Sequence, residues 1–313
     1  MAALPVIFIF DLDYTLIGNR FPYEYVQDIK QFIANACLTE KIGADEVGPG
    51  LSKSDSRVYD PKLAFDPNLL RPFLKESLDQ LSELFHGCAE FFVFTAGDTK
   101  GVNEFIPLIE KQFGLKFNRP LLSNIDTTLN ESGGTEKSII MHFPKYIQSL
   151  VGRYPALKDE KKAEFVKQHR TVFFDDNDWT EEKSRSKFIQ NVPYTYWPTF
   201  DLLESIPVRV RAMPLIRDFL KRKYFKYVFV EPYGPKPANR REMDYHLFMA
   251  NLHRVDADAN EAALKDTFFR DFVDSVRPFA GLVKPFSDVH MAKIRASLKA
   301  SHTLYGGLKK DSL

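Results

Sequence analysis

Apolar residues in this chain come in two patterns, short unbroken runs and longer stretches with helical spacing. Val6-Ile7-Phe8-Ile9-Phe10 is an unbroken run of strand-favouring side chains, which reads as a strand buried on both faces. Phe91–Phe94, Leu121–Ser123, Thr171–Phe174 and Lys187–Trp197 read as further strands. Between them, the spacing of Tyr25, Val26, Ile29, Phe32, Ile33 and Ala36 predicts a helix over 23–38. Arg71-Pro72-Phe73 opens a second helix, with proline in its first turn, that closes near Gly87. Others are expected over 102–113, ended by Gly114, over 135–150, opened by Thr135-Glu136-Lys137-Ser138, and over 158–168. Glycines and prolines crowd residues 41–67, a loop or small insertion after the first strand. Strands alternating with helices predict an α/β fold, a doubly wound, Rossmann-like and mainly parallel sheet.

From about residue 208 the pattern turns mostly helical. Val208–Lys223 reads as a basic helix, Tyr224–Val230 as a short strand, and Arg241–Leu252, Asn260–Val276 and Ser287–Ala300 as helices. Residues 1–204 are therefore expected to form one domain, carrying the 41–67 insertion, and 205–313 a basic, mostly helical C-terminal region. Charge follows the same division: residues 1–204 hold 23 Lys and Arg against 30 Asp and Glu, and 205–313 hold 20 against 12.

A hydrophobic content of 44% with 27% charged residues fits a soluble globular protein with an interior rich in its 28 Phe. No apolar run approaches the about 20 residues of a membrane span, so no membrane partner is expected. The run into Asp11 does not have the pattern of a signal peptide. Cys37 and Cys88 are too few and too far apart for a disulfide framework or a zinc site. An intracellular, reducing compartment is expected, either cytoplasm or nucleus.

Three of the predicted strands run into polar chemistry: Asp11-Leu12-Asp13, Thr95, and Asp175-Asp176. Open α/β sheets bind their ligands at that carboxyl edge. A phosphomonoester hydrolase working through an aspartyl-phosphate needs one carboxylate to attack phosphorus and a second group to protonate the leaving oxygen. Positions i and i+2 of an extended strand point the same way, so Asp11 could be the nucleophile and Asp13 the general acid, later the base for water. Thr15 would order the turn holding Asp13. Mg²⁺ prefers oxygen ligands, and Asp11, the Asp13 backbone carbonyl, and Asp176 or Asp175 could supply them. Lys137, near Gly133-Gly134 and a helix start, and Thr95, with the backbone N–H of Ala96 beyond it, would hold the substrate phosphate.

Asp11-Leu12-Asp13-Tyr14-Thr15, Phe94-Thr95, Lys137 and Asp175-Asp176 occur in the order of the motifs of the haloacid dehalogenase superfamily, which the chain resembles over residues 5–204. Arg71-Pro72-Phe73-Leu74, Phe92-Val93-Phe94-Thr95-Ala96-Gly97, Arg119-Pro120-Leu121-Leu122-Ser123 and Phe173-Phe174-Asp175-Asp176-Asn177-Asp178-Trp179 look like blocks of its FCP/SCP-type branch. That branch comprises protein phosphatases acting on the C-terminal domain of RNA polymerase II. The resemblance implies a HAD-like fold, Mg²⁺, and hydrolysis of phosphoserine or phosphothreonine in a phosphoprotein. Three features depart from the branch: Tyr14 stands where an acidic residue is common, 41–67 is longer than in compact members, and Gly97-Asp98-Thr99-Lys100 lacks the usual tyrosine. Residues 205–313 match no part of it.

Other readings stay open on sequence alone. A DxD by itself is usually a turn, and a lysine at a helix start is usually solvated; Lys145 and Lys158 compete with Lys137. Asp178 reads as a helix cap, Trp179 as packing, and Arg71, His86, His142 and His169 as structural. The substrate could be a nucleotide, a polynucleotide end or a small molecule, or the chain could be a non-catalytic interaction protein. Arg209, Arg211, Arg217, Lys221, Arg222, Lys223 and Lys226 lie near Tyr224, Phe225 and Tyr227. That cluster could contact nucleic acid or an acidic partner, or form a solvated face docked on the acidic N-terminal part.

Overall fold

The computed structural model describes residues 4–54, 57–129, 135–177, 182–196, 206–219 and 260–302. The helix start at Asp201, the elements expected at Tyr224–Val230 and Arg241–Leu252, the basic residues Lys221 to Lys226, and Gly133, Gly134, Asp178 and Trp179 lie outside them.

The sheet is built around β1 (Val6–Phe10), all five residues of which are buried. It runs parallel to β2 (Ala89–Val93) on one side and, further along the chain, to β5 (Thr171–Asp175) on the other. Two short strands, β3 (Thr128–Leu129) and β4 (Thr135–Glu136), pair apart from this sheet as an antiparallel ladder. Beyond β5 lies β6 (Phe188–Gln190), giving the order β2-β1-β5-β6 with every pair parallel. A central parallel strand has no solvated face, and this is why β1 reads as an unbroken apolar run.

Successive side chains of β1 feed two separate cores. Ile7 and Ile9, with Phe92 and Phe173, meet α5 (Ile139–Leu150) and α6 (Glu160–His169). Phe8 and Phe10, with Val172 and Phe174, meet α3 (Leu74–Leu84) and α4 (Thr99–Phe113). The same core takes in residues far along the chain: Phe268, Phe269, Phe272, Val273 and Val276 of α8 (Phe268–Val276), then Met291, Ile294 and Leu298 of α9 (Asp288–His302). Phe10 stacks on Phe174 at 4.9 Å between ring centres, and Phe174 meets Phe272 edge-on at 4.8 Å. The described residues after 260 thus cover one face of the sheet.

A third cluster forms on α1 (Phe21–Leu38), which follows β1 directly. Val26, Ile29 and Ile33 pack there against Ile42, Val47 and Leu51 of the insertion, and against Ile206, Val210 and Ile216. Of the basic stretch, α7 (Val208–Arg211) and the helical turns over 214–219 are described, and Arg211 is buried. The insertion itself holds a single turn of helix, α2 (Ala44–Val47).

Several elements differ from the sequence expectation, each for a local reason. Leu121–Ser123 is no strand of its own: Leu122 makes one parallel bridge to Phe94, giving its N–H to Val93 O and accepting that of Thr95. The strand expected to reach Trp197 ends at Gln190, because Pro193 has no N–H to donate and the chain crosses to the turn after β1. There Tyr194 donates to Tyr14 O, and Asn19 to Tyr196 O. Thr135 and Glu136 form β4 rather than helix; the Ser138 hydroxyl, accepting the N–H of Met141, starts α5 only at Ile139. The helix expected over 260–276 is interrupted where the Asp266 carboxylate caps Phe268 N–H and also receives Arg71.

Phe272→Ala is expected to lower stability by about 3–5 kcal/mol, the usual cost of emptying a buried aromatic site. Urea unfolding followed by circular dichroism measures it, and a loss below about 1 kcal/mol would mean that α8 does not seal the sheet.

Candidate active site

Parallel register brings the chain's acidic segments to one rim. Phe10 lies level with Val93 of β2 and with Phe174 of β5, so Asp11, Phe94-Thr95 and Asp175-Asp176 all leave the sheet at the same edge. Asp11 continues the ladder by donating its N–H to Phe174 O at 2.8 Å. Lys137 reaches this rim from the segment between β4 and the Ser138 cap, its Nζ near the rings of Phe94 and Phe173 at 5.9 Å.

The side chains form a compact charged cluster. Lys137 Nζ donates to Asp11 Oδ1 at 2.5 Å and to Asp175 Oδ2 at 2.7 Å, and all three side chains are at most 8% exposed. The other Asp175 oxygen accepts the backbone N–H of Asn177 at 2.8 Å. Asp176 accepts the Asn177 side-chain amide on Oδ2, while its buried Oδ1 has no hydrogen-bond partner among the described residues. Oxygens of Asp11, Asp175 and Asp176 lie within 4.8 Å of one another.

One ammonium among three buried carboxylates leaves an excess of negative charge. Burial pushes the Asp11 carboxyl well above the usual carboxylate range, with Lys137 pulling it down and Asp175 and Asp13 pushing it further up. Burial, reinforced by Asp175, pushes Asp176 up to about 7. Burial alone would depress the Lys137 ammonium, but Asp11 and Asp175 outweigh it and hold its pKa above the ordinary value. A hard divalent cation suits such a site: the donors are all oxygens, and Asp176 Oδ1 is buried and unclaimed by any described group. Asp176 and Asp11 are the residues placed to hold it, since both Asp175 oxygens are already engaged.

Asp13 sits differently. β1 ends at Phe10, so Asp13 lies in the turn beyond the strand and the alternation of strand side chains does not reach it. Its carboxylate, 21% exposed, takes a 2.7 Å ion pair from Arg20 Nε and lies outside the three-carboxylate group. Tyr14 follows in the left-handed region with φ 61°, its carbonyl held by Tyr194. Thr15 donates to Asn191 Oδ1 at 3.2 Å, and its carbonyl accepts Arg71 Nη1. Arg71, fully buried, also binds Val192 O and the Asp266 carboxylate, tying the turn after β1 to the C-terminal segment. Thr95 is buried at the rim, its hydroxyl accepting Gly97 N–H at 3.1 Å, and Ala96 is half-buried beside it. Lys145, the alternative to Lys137, is half exposed and pairs with Asp126.

Arg20 and Asn191 were not legible as site residues. Arg20 stands in the turn Gly18-Asn19-Arg20 before the first expected helix, and no local pattern marks it as buried.

No family model matches this chain, and no curated protein matches it either. Among solved structures it is similar to that of Fcp1, described as an essential RNA polymerase II CTD phosphatase, with 15% identity and a TM-score of 0.28 over 88% of this chain and 66% of that one. A fission yeast Fcp1 structure bound to beryllium fluoride gives 16% identity and a TM-score of 0.31 over 92% of this chain and 70% of that one. The chain thus spans about two thirds of the length of those structures. Superpositions that loose carry no assignment of activity.

Mg²⁺ at a hundredfold excess over its dissociation constant is expected to stabilise the protein by about 2.7 kcal/mol, seen as a raised melting midpoint that EDTA reverses. Asp176→Asn should remove most of that shift, and a wild-type midpoint indifferent to Mg²⁺ would exclude the cation from this cluster.

Proposed function

We propose that this protein is a Mg²⁺-dependent phosphatase that hydrolyses phosphomonoesters through an aspartyl-phosphate on Asp11. The observation that carries this reading is the Lys137 ammonium shared between Asp11 and Asp175, beside the unpartnered oxygen of Asp176. Lys137 occupies Asp11 Oδ1, and among the described residues Oδ2 accepts no hydrogen bond, leaving it for attack on phosphorus. An anionic nucleophile meeting an anionic phosphate needs positive charge on both, and Lys137 supplies part of it. Bound Mg²⁺ would supply the rest, with Asp176 and the second lone pair of Asp11 Oδ1 as its protein ligands.

Asp13 is the second carboxylate of the reaction. It gives its proton to the leaving oxygen as the P–O bond breaks, and takes one from water as that water displaces Asp11 from phosphorus. Thr95, with the N–H of Ala96, stands where a phosphoryl oxygen would be gripped. Phosphoserine or phosphothreonine in a protein is the substrate class that the motif resemblance supports. No described helix is long and apolar enough to cross a membrane.

Asp11→Asn is expected to reduce hydrolysis of an aryl phosphate by ~1,000-fold or more with the fold intact, since an amide oxygen replaces the attacking carboxylate. Beryllium fluoride should form an adduct with the wild-type protein and Mg²⁺ but not with this variant. Unchanged turnover would exclude the mechanism. Rates on phosphoserine peptides, nucleotides and phosphorylated oligonucleotides decide the substrate class, and a preference for either of the last two would overturn the phosphoprotein assignment.

A further inference from the structure

We propose that Arg20 is a positioning residue which, clamped by Glu24 and Tyr59, holds the Asp13 carboxylate where the leaving oxygen must be protonated. This rests on the reading of Asp13 as general acid. The Arg20 side chain is only 3% exposed, so its charge has to be met by protein groups rather than water. Nε donates to Asp13 Oδ1 at 2.7 Å, while Nη1 donates to Glu24 Oε1 at 2.6 Å and to the Tyr59 hydroxyl at 3.0 Å. Tyr59 in turn donates to the same Glu24 oxygen at 2.6 Å, closing a ring of three groups. A planar guanidinium with two of its edges fixed has little freedom to swing, and Asp13 inherits that orientation.

Arg20 also abuts the second motif. A Cβ added to Gly97 would stand 2.8 Å from Arg20 Nη2 and 3.5 Å from the Thr95 hydroxyl. One side chain therefore touches the turn after β1, the turn after β2, and the inserted segment that carries Tyr59. Tyr59 is buried against Phe65 and Phe105 in the main core, which anchors the far side of the clamp. The insertion thereby contributes to the site through Tyr59, and the acid's geometry depends on its docking.

General acid catalysis matters most when the leaving group is a poor one, and this separates positioning from structural or phosphate-binding roles. In the step concerned, the bond from an Asp11 oxygen to phosphorus forms, the bond from phosphorus to the leaving oxygen breaks, and a proton carried on Asp13 Oδ2, with Arg20 holding Oδ1, passes to that oxygen. The readout is kcat/KM on a phosphoserine peptide and on dinitrophenyl phosphate, whose leaving group departs without a proton. Arg20→Gln is expected to lose ~100-fold on the peptide and less than ~5-fold on the dinitrophenyl ester, with Arg20→Lys recovering part of the difference. Tyr59→Phe removes one hydroxyl and should show the same selectivity with a smaller loss; it decides the matter if Arg20→Gln does not fold. Equal losses on both substrates, or a raised KM with kcat unchanged, would overturn the positioning role. Asp13→Asn run in parallel must show the same selectivity: if it loses both equally, the acid assignment fails first, and Arg20's role with it.

Discussion

The site depends on one ammonium shared by two buried carboxylates. Lys137, Asp11 and Asp175 come from three separate segments, and each would be expensive to bury alone. Together they offset one another, but incompletely, because Asp176 adds a further acid. That shortfall is informative. A purely structural ion pair would be balanced, as Arg71 and Asp266 are, whereas this cluster holds more carboxyl groups than cations, beside an oxygen that no described group satisfies.

Holding such a cluster at a sheet edge requires a rigid frame. β1 supplies it only if both of its faces are sealed, and the two seals come from different parts of the chain. One is made by α5 and α6 beside Ile7 and Ile9, from the middle of the chain. The other includes Phe268, Phe272 and Met291, more than 250 residues from β1. Arg71 joins this distant cover to the site itself, reaching Thr15 O on one side and Asp266 on the other. Packing against the sheet and order in the turn after β1 are thus linked through one buried side chain.

Arg20 meets the same turn through the Asp13 carboxylate. In the positioning role proposed for it, Glu24 and Tyr59 set where the guanidinium lies and the guanidinium sets where Asp13 lies. Two arginines therefore meet the same turn, Arg71 at Thr15 O and Arg20 at the Asp13 carboxylate.

Much of this was written in local pattern. The apolar run Val6–Phe10 determined a doubly covered strand, and similar runs ending in Thr95 and Asp175 determined that acids and hydroxyl would share an edge, because parallel strands all point their carboxyl ends one way. The ordered motifs and the nearby helix start pointed to Lys137, and the structure brings it to Asp11 and Asp175. Which oxygens Lys137 takes, and therefore which carboxylate keeps a free one, only the tertiary structure decided. The same holds for Arg20, which the sequence places only in a turn before a helix, and for the C-terminal phenylalanines, whose periodicity marks an apolar face without naming what it covers. Sequence pattern fixes the direction and spacing of side chains within an element; partners brought from distant segments are chosen by packing, and no local pattern encodes that.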